Sequence, residues 1–169
     1  MKTIEDSQRG TACPKVTTRK PNSAKGRAYA LAYGMINTAL ENGCPLQAIT
    51  IEESLLTDRL SSTLNAHNAS KTPFMTLNRA LSEWKRQKAR GESLFDDEMN
   101  GLLPQLEEWW NERNALLHGI AKSPCGQGPD IPAEEFVARA EKAAKDGFSL
   151  TRKVSRWTQK QVAKARKVQ

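Results

Sequence analysis

The chain carries only two histidines, His67 and His118, against twelve arginines. One segment sets a histidine close after an arginine: Glu112-Arg113-Asn114-Ala115-Leu116-Leu117-His118-Gly119. Imidazole titrates near pH 6.5, so it can take or give a proton at neutrality. A guanidinium stays charged and forks onto a carboxylate or phosphate. General acid–base work beside an anion is therefore the chemistry these side chains suit. Gly119 directly after the histidine predicts a helix end there. His118 then lies in the last turn, where the negative pole favours a protonated imidazole. Arg113 shares a stripe with Leu106, Trp109, Trp110 and Leu117. An arginine on that packed side needs an anionic partner. His118 lies five residues further on, about 140° round an ideal helix. One regular helix does not bring the two groups together. A distorted helix end or a second copy of the helix across a dimer interface would do so.

No other chemistry stands out. The chain lacks a P-loop, a glycine-rich dinucleotide turn, an HExxH helix, an EF-hand loop and a nucleophile elbow. Two histidines are too few for a histidine-based metal site, and no cofactor is implied. Cys13, Cys44 and Cys125 are far apart, odd in number and never in a CxxC pair, which argues against a disulfide framework or a zinc ribbon.

The elements that must position the motif read as helices. Apolar residues recur at helical spacing from Ala24 to Asn42, from Leu46 to His67 and from Pro73 to Ala89. Gly43 supplies a stop for the first helix. Pro104 reads as a first-turn residue of a fourth helix ending at Gly119. Pro132 opens a fifth, which Gly147 kinks or splits. On the second helix Glu52 falls between Leu55 and Leu56 on the wheel, inside the apolar sector, and Glu53 between Leu60 and Leu64. Either can pair with Arg113, and Glu52 is the candidate for holding it. His67 reads as a core or interface histidine. Adjacent Trp109 and Trp110 cannot both face one core. Core or dimer packing is the reading for the pair, with base stacking by one as the alternative. The fold class is an all-α, antiparallel bundle of about five helices. A polar, flexible arm over 1–22 precedes a single domain over 23–169.

The 169-residue chain has a net charge of +7, and its distribution is uneven. No acidic residue follows Asp146, while Arg152, Lys153, Arg156, Lys160, Lys164, Arg166 and Lys167 crowd the last 19 residues. Such a field over 151–169 favours a polyanion or an acidic partner. No apolar run approaches the ~20 residues of a membrane helix, and the N-terminus lacks the apolar stretch of a secretory signal. The expectation is a cytoplasmic protein without a membrane partner.

Arg113-Asn114-Ala115-Leu116-Leu117-His118 resembles the motif of the HEPN superfamily, small helical bundles whose pattern is Arg, four to six residues, then His, often with a polar residue after the Arg. The setting, a late amphipathic helix followed by a loop, is also similar. The resemblance implies a metal-independent endoribonuclease, active as a homodimer whose two motifs face each other. It also implies a toxin of a toxin–antitoxin pair or an antiviral defence effector, hence an antitoxin or defence-complex protein partner. In that mechanism the RNA 2′-hydroxyl attacks the adjacent phosphate. His118 moves a proton, Arg113 stabilises charge on the phosphate, and Asn114 positions the phosphate or His118. The bases Arg152, Lys153, Arg156, Lys160, Lys164 and Lys167 guide the RNA backbone. Some relatives carry a tyrosine two residues after the histidine as a modification site; Ile120 stands there, so that control is not supported. The alternatives are a non-catalytic HEPN-like RNA-binding or adaptor subunit and a DNA-binding helical protein acting through its tail.

Overall fold

The computed structural model describes residues 24–67, 75–91, 96–121 and 131–167. They form five helices: α1 (Ala24–Glu41), α2 (Pro45–His67), α3 (Leu77–Ala89), α4 (Asp97–Ala121) and α5 (Ala133–Lys167). The architecture is an all-α bundle, with no strand among the described residues. The arm over 1–22 lies outside them.

Helix α2 is the central element. It packs against α1, α3 and α5, while α4 lies along α5. The buried stripe Ile49, Leu56, Leu60 and Leu64 of α2 meets Ile36 of α1, Trp84 of α3 and Trp157 of α5. Trp84 and Trp157 pack edge to face with ring centroids 5.3 Å apart, a favoured aromatic geometry. α4 and α5 run antiparallel. Glu98 reaches Lys160, Gln105 reaches Lys153, Trp109 reaches Ala143 and Glu112 reaches Arg139.

Three helix boundaries differ from the sequence reading by more than one residue. α3 starts at Leu77 rather than Pro73, because the Thr76 hydroxyl caps it by accepting from the Arg79 N–H. α4 starts at Asp97 rather than Pro104. The Asp96 carboxylate accepts from the Met99 N–H at 3.0 Å, and Asp97 and Glu98 complement the positive pole of the first turn. Pro104 therefore lies inside the helix, where its missing N–H leaves the Asn100 carbonyl without its usual donor. α4 also continues past Gly119 to Ala121.

Gly43 does end α1. At φ +66° it closes a Schellman turn, with Cys44 N–H on the Ala39 carbonyl and Gly43 N–H on that of Leu40. Gly147 does not break α5, which is one helix of 35 residues. Its place is explained by packing. A Cβ there would collide with the Glu52 carboxylate and sit 2.5 Å from Trp109 Nε1.

Candidate functional site

Arg113 leaves α4 on the side facing α2. Its Nη2 forms an ion pair with Glu53, and its Nη1 donates to Asn114 Oδ1 at 2.8 Å. The guanidinium carbon lies 5.0 Å from the Trp110 ring centroid, within cation–π range. Arg113 is 16% exposed and Glu53 21%, so water screens this pair less than a surface one. The guanidinium is thus held by three neighbours. Its Nε is buried without a hydrogen-bond partner.

The carboxylate that holds Arg113 is Glu53, not Glu52. The two glutamates point about 100° apart on α2, and the packing turns Glu53 toward α4 and Glu52 into the junction with α5. Glu52 is 0% exposed, and neither oxygen has a hydrogen-bond partner. Burial alone pushes its carboxyl up to about 9. Glu52 is therefore a neutral acid at pH 7, seated against Gly147 and the indole of Trp109. A protonated carboxyl cannot serve as the counter-charge of an arginine.

His118 lies in the last turn of α4 and is exposed. The helix stays regular through this turn, so no distortion carries His118 round toward Arg113. Within one chain the two groups face different sides of α4. Asn114 is spent on Arg113 rather than on His118. His67 is the last residue of α2, and its side chain lies outside the described residues.

The two tryptophans divide as their adjacency demands. Trp109 is buried and donates its Nε1–H to the Ala143 carbonyl at 2.8 Å. Trp110 is half-buried beside Arg113.

The basic stretch is less free than its sequence suggests. Lys160 pairs with Glu98 at 2.7 Å, Lys164 lies 3.9 Å from Asp96, and Lys153 donates to Gln105 at 3.2 Å. The Arg152 guanidinium lies 5.2 Å from the Phe148 ring centroid. Arg156 is exposed and has no ion pair among the described residues. The side chains of Arg166 and Lys167 lie outside the described residues. Because α4 and α5 are antiparallel, these bases sit at the start of α4. Glu98 and His118 are separated by about 30 Å of helix. Within one chain the basic stretch and His118 occupy opposite ends of α4.

A groove that the sequence reading missed runs between α4 and α5, with a volume of about 780 Å³. Arg139 crosses one end of it and holds Glu112 through two bonds, Nε at 2.8 Å and Nη2 at 2.9 Å. The arginine's hydrogen bond keeps the Glu112 carboxyl below its ordinary range. The only sequence signal for this contact was the match of an acid on one helix with a base on the next. Among the described residues no three His, Cys, Asp or Glu side chains gather to hold a metal ion. No described helix is long and apolar enough to cross a membrane.

Comparison with known proteins finds no matching family model, no matching curated protein and no matching solved structure.

Proposed function

We propose that the chain is a metal-independent endoribonuclease of HEPN type, working as a homodimer and serving as a toxin or antiviral defence effector. One observation carries the reading. A half-buried arginine, fixed by Glu53, Asn114 and Trp110, stands five residues before an exposed histidine at the end of the same helix. Arg113 and His118 face different sides of α4, so the reading needs a second α4 to complete the site, with one copy's arginine meeting the other's histidine. There the 2′-hydroxyl oxygen bonds to phosphorus while the 5′-oxygen leaves. His118 moves the proton, and Arg113 stabilises the charge on the phosphoryl oxygens. The protein partner of such a dimer is an antitoxin or a defence-complex subunit.

A non-catalytic RNA-binding or adaptor subunit is the second reading. The observation favouring it is that Arg113 already has an intramolecular carboxylate and amide. Cleavage of RNA in EDTA separates the two. The nuclease reading expects a 2′,3′-cyclic phosphate on the upstream fragment and a loss of roughly 100-fold or more for His118→Ala. Full activity in a folded His118→Ala protein, judged by circular dichroism, would overturn it and leave the adaptor reading ahead.

A further inference from the structure

Among the described residues nothing covers the outer face of α1. Three large apolar side chains are exposed among them, Leu31, Met35 and Val137, and α1 carries the first two, at 66% and 44% exposure. No charged residue stands between Ala28 and Leu40. Charge returns only at the ends of the face, as Arg27 and Glu41. Arg27, Leu31, Gly34, Thr38 and Glu41 are all exposed and recur at alternating steps of four and three residues. On an ideal helix they fall within about 80° of one another and form one seam.

Three residues of the seam oppose the stability of α1 on its own. Arg27 stands in the first turn, at the positive pole, and Glu41 is the last residue, at the negative pole, so each has the wrong sign for its end. Neither has an ion pair or side-chain hydrogen bond with another described residue. Gly34 lowers helix propensity mid-helix, and a Cβ there would meet nothing within 4 Å, so no packing inside the chain calls for glycine. A second α1 laid antiparallel accounts for all three. Gly34 lies seven residues from Arg27 and seven from Glu41. A two-fold axis through Gly34 therefore sets Arg27 of each copy beside Glu41 of the other. Each pole then meets a charge of favourable sign from the neighbouring helix. Leu31 of one copy comes level with the gap between Met35 and Thr38 of the other, and the bare Gly34 backbones let the helices approach closely. A parallel pair would instead set Arg27 on Arg27 and Glu41 on Glu41.

We propose that the face of α1 from Arg27 to Glu41 is a self-association interface, closed by antiparallel pairing with α1 of a second copy of this chain. It is separate from the pairing of α4 that the ribonuclease reading needs, because α1 packs against α2 and α5 and its seam points away from both. A chain with both faces builds a dimer of dimers.

Sedimentation equilibrium of the full chain over a range of micromolar concentrations is the test. Leu31→Glu should weaken association about a hundredfold or more and halve the mass of the assembly, because a two-fold interface carries the change twice. Arg27→Glu and Glu41→Arg should each weaken it about tenfold, since each sets like charges side by side at two places. The double variant, Arg27→Glu with Glu41→Arg, should return to within about threefold of the wild type. Both charge changes put the favourable sign at their own end of α1, so their effect on association does not come from a weaker helix. Circular dichroism checks that every variant is folded. An assembly mass unchanged by Leu31→Glu would overturn the proposal and leave the face to a different protein. A double variant that associates no better than either single one would overturn it too.

Discussion

Replacing Glu52 by glutamine should change how stability depends on pH. The side chain is 0% exposed and without a hydrogen bond, and its carboxyl is pushed up to about 9 from an ordinary 4.5. A pKa above the unfolded value means that the folded chain keeps a proton the unfolded chain would release. The resulting stabilisation is complete below about 4.5 and is lost progressively as pH rises toward 9. Each pH unit inside that window is worth about 1.4 kcal/mol. From pH 5 to pH 8 the wild type should therefore lose up to about 4 kcal/mol, a large part of the 5–15 kcal/mol typical of a domain. Glutamine has nearly the same shape and no charge to lose, so this slope should vanish in Glu52→Gln. Its unpartnered amide adds a constant penalty of about 1–3 kcal/mol, which shifts the curve without tilting it. Glu83 and Glu112 do not confuse the window. Each is held below its ordinary value, chiefly by a hydrogen bond from Arg86 or Arg139 respectively, and titrates at more acid pH. Urea unfolding followed by far-ultraviolet circular dichroism at half-unit pH steps measures both curves. Wild-type and Glu52→Gln profiles that run parallel from pH 5 to pH 8 would refute the reasoning, since Glu52 would then ionise in the folded state as it does in water.

Gly147→Ala should destabilise by about 1–3 kcal/mol despite alanine's higher helix propensity, because its Cβ meets Glu52 and Trp109. Thermal melts should show the loss shrinking when Glu52→Ala is added. Arg113→Ala should lower stability by about 1–3 kcal/mol, because Glu53 loses its only ion pair among the described residues; urea midpoints read this, and Arg113→Lys should recover part of it. In salt titrations of RNA affinity, Arg156→Gln should flatten the slope by up to about one charge, and Lys160→Gln by less, because Lys160 already pairs with Glu98.

The helices were legible because their apolar residues repeat at 3.6-residue spacing, and Gly43 was a reliable stop because only a left-handed turn suits that position. The start of α4 was not. Pro104 carries a strong first-turn preference, while Asp96-Asp97-Glu98 reads equally as a polar loop or as a cap. The buried Met99 and the Asp96 cap decide it. The choice between Glu52 and Glu53 depends on how α2 is rotated between α4 and α5, which no single-helix wheel contains. What the wheel did show was Glu52 inside the apolar sector, where the structure has it. Engagement of Lys160 and Lys164 by acids more than sixty residues away was hidden for the same reason. Local spacing says what a helix is, and long-range packing says what its charges meet.

The central claim is that Arg113 and His118, turned apart on one α4, are joined across two copies. Mixing the inactive variants Arg113→Gln and His118→Ala tests it directly, with glutamine chosen to keep a hydrogen bond to Glu53. After unfolding and refolding together, half of the dimers carry one of each chain, and each mixed dimer holds one site with both native groups. RNA cleavage in EDTA should return to about a quarter of the wild-type rate. A mixture of folded variants as inactive as its parts would contradict the account.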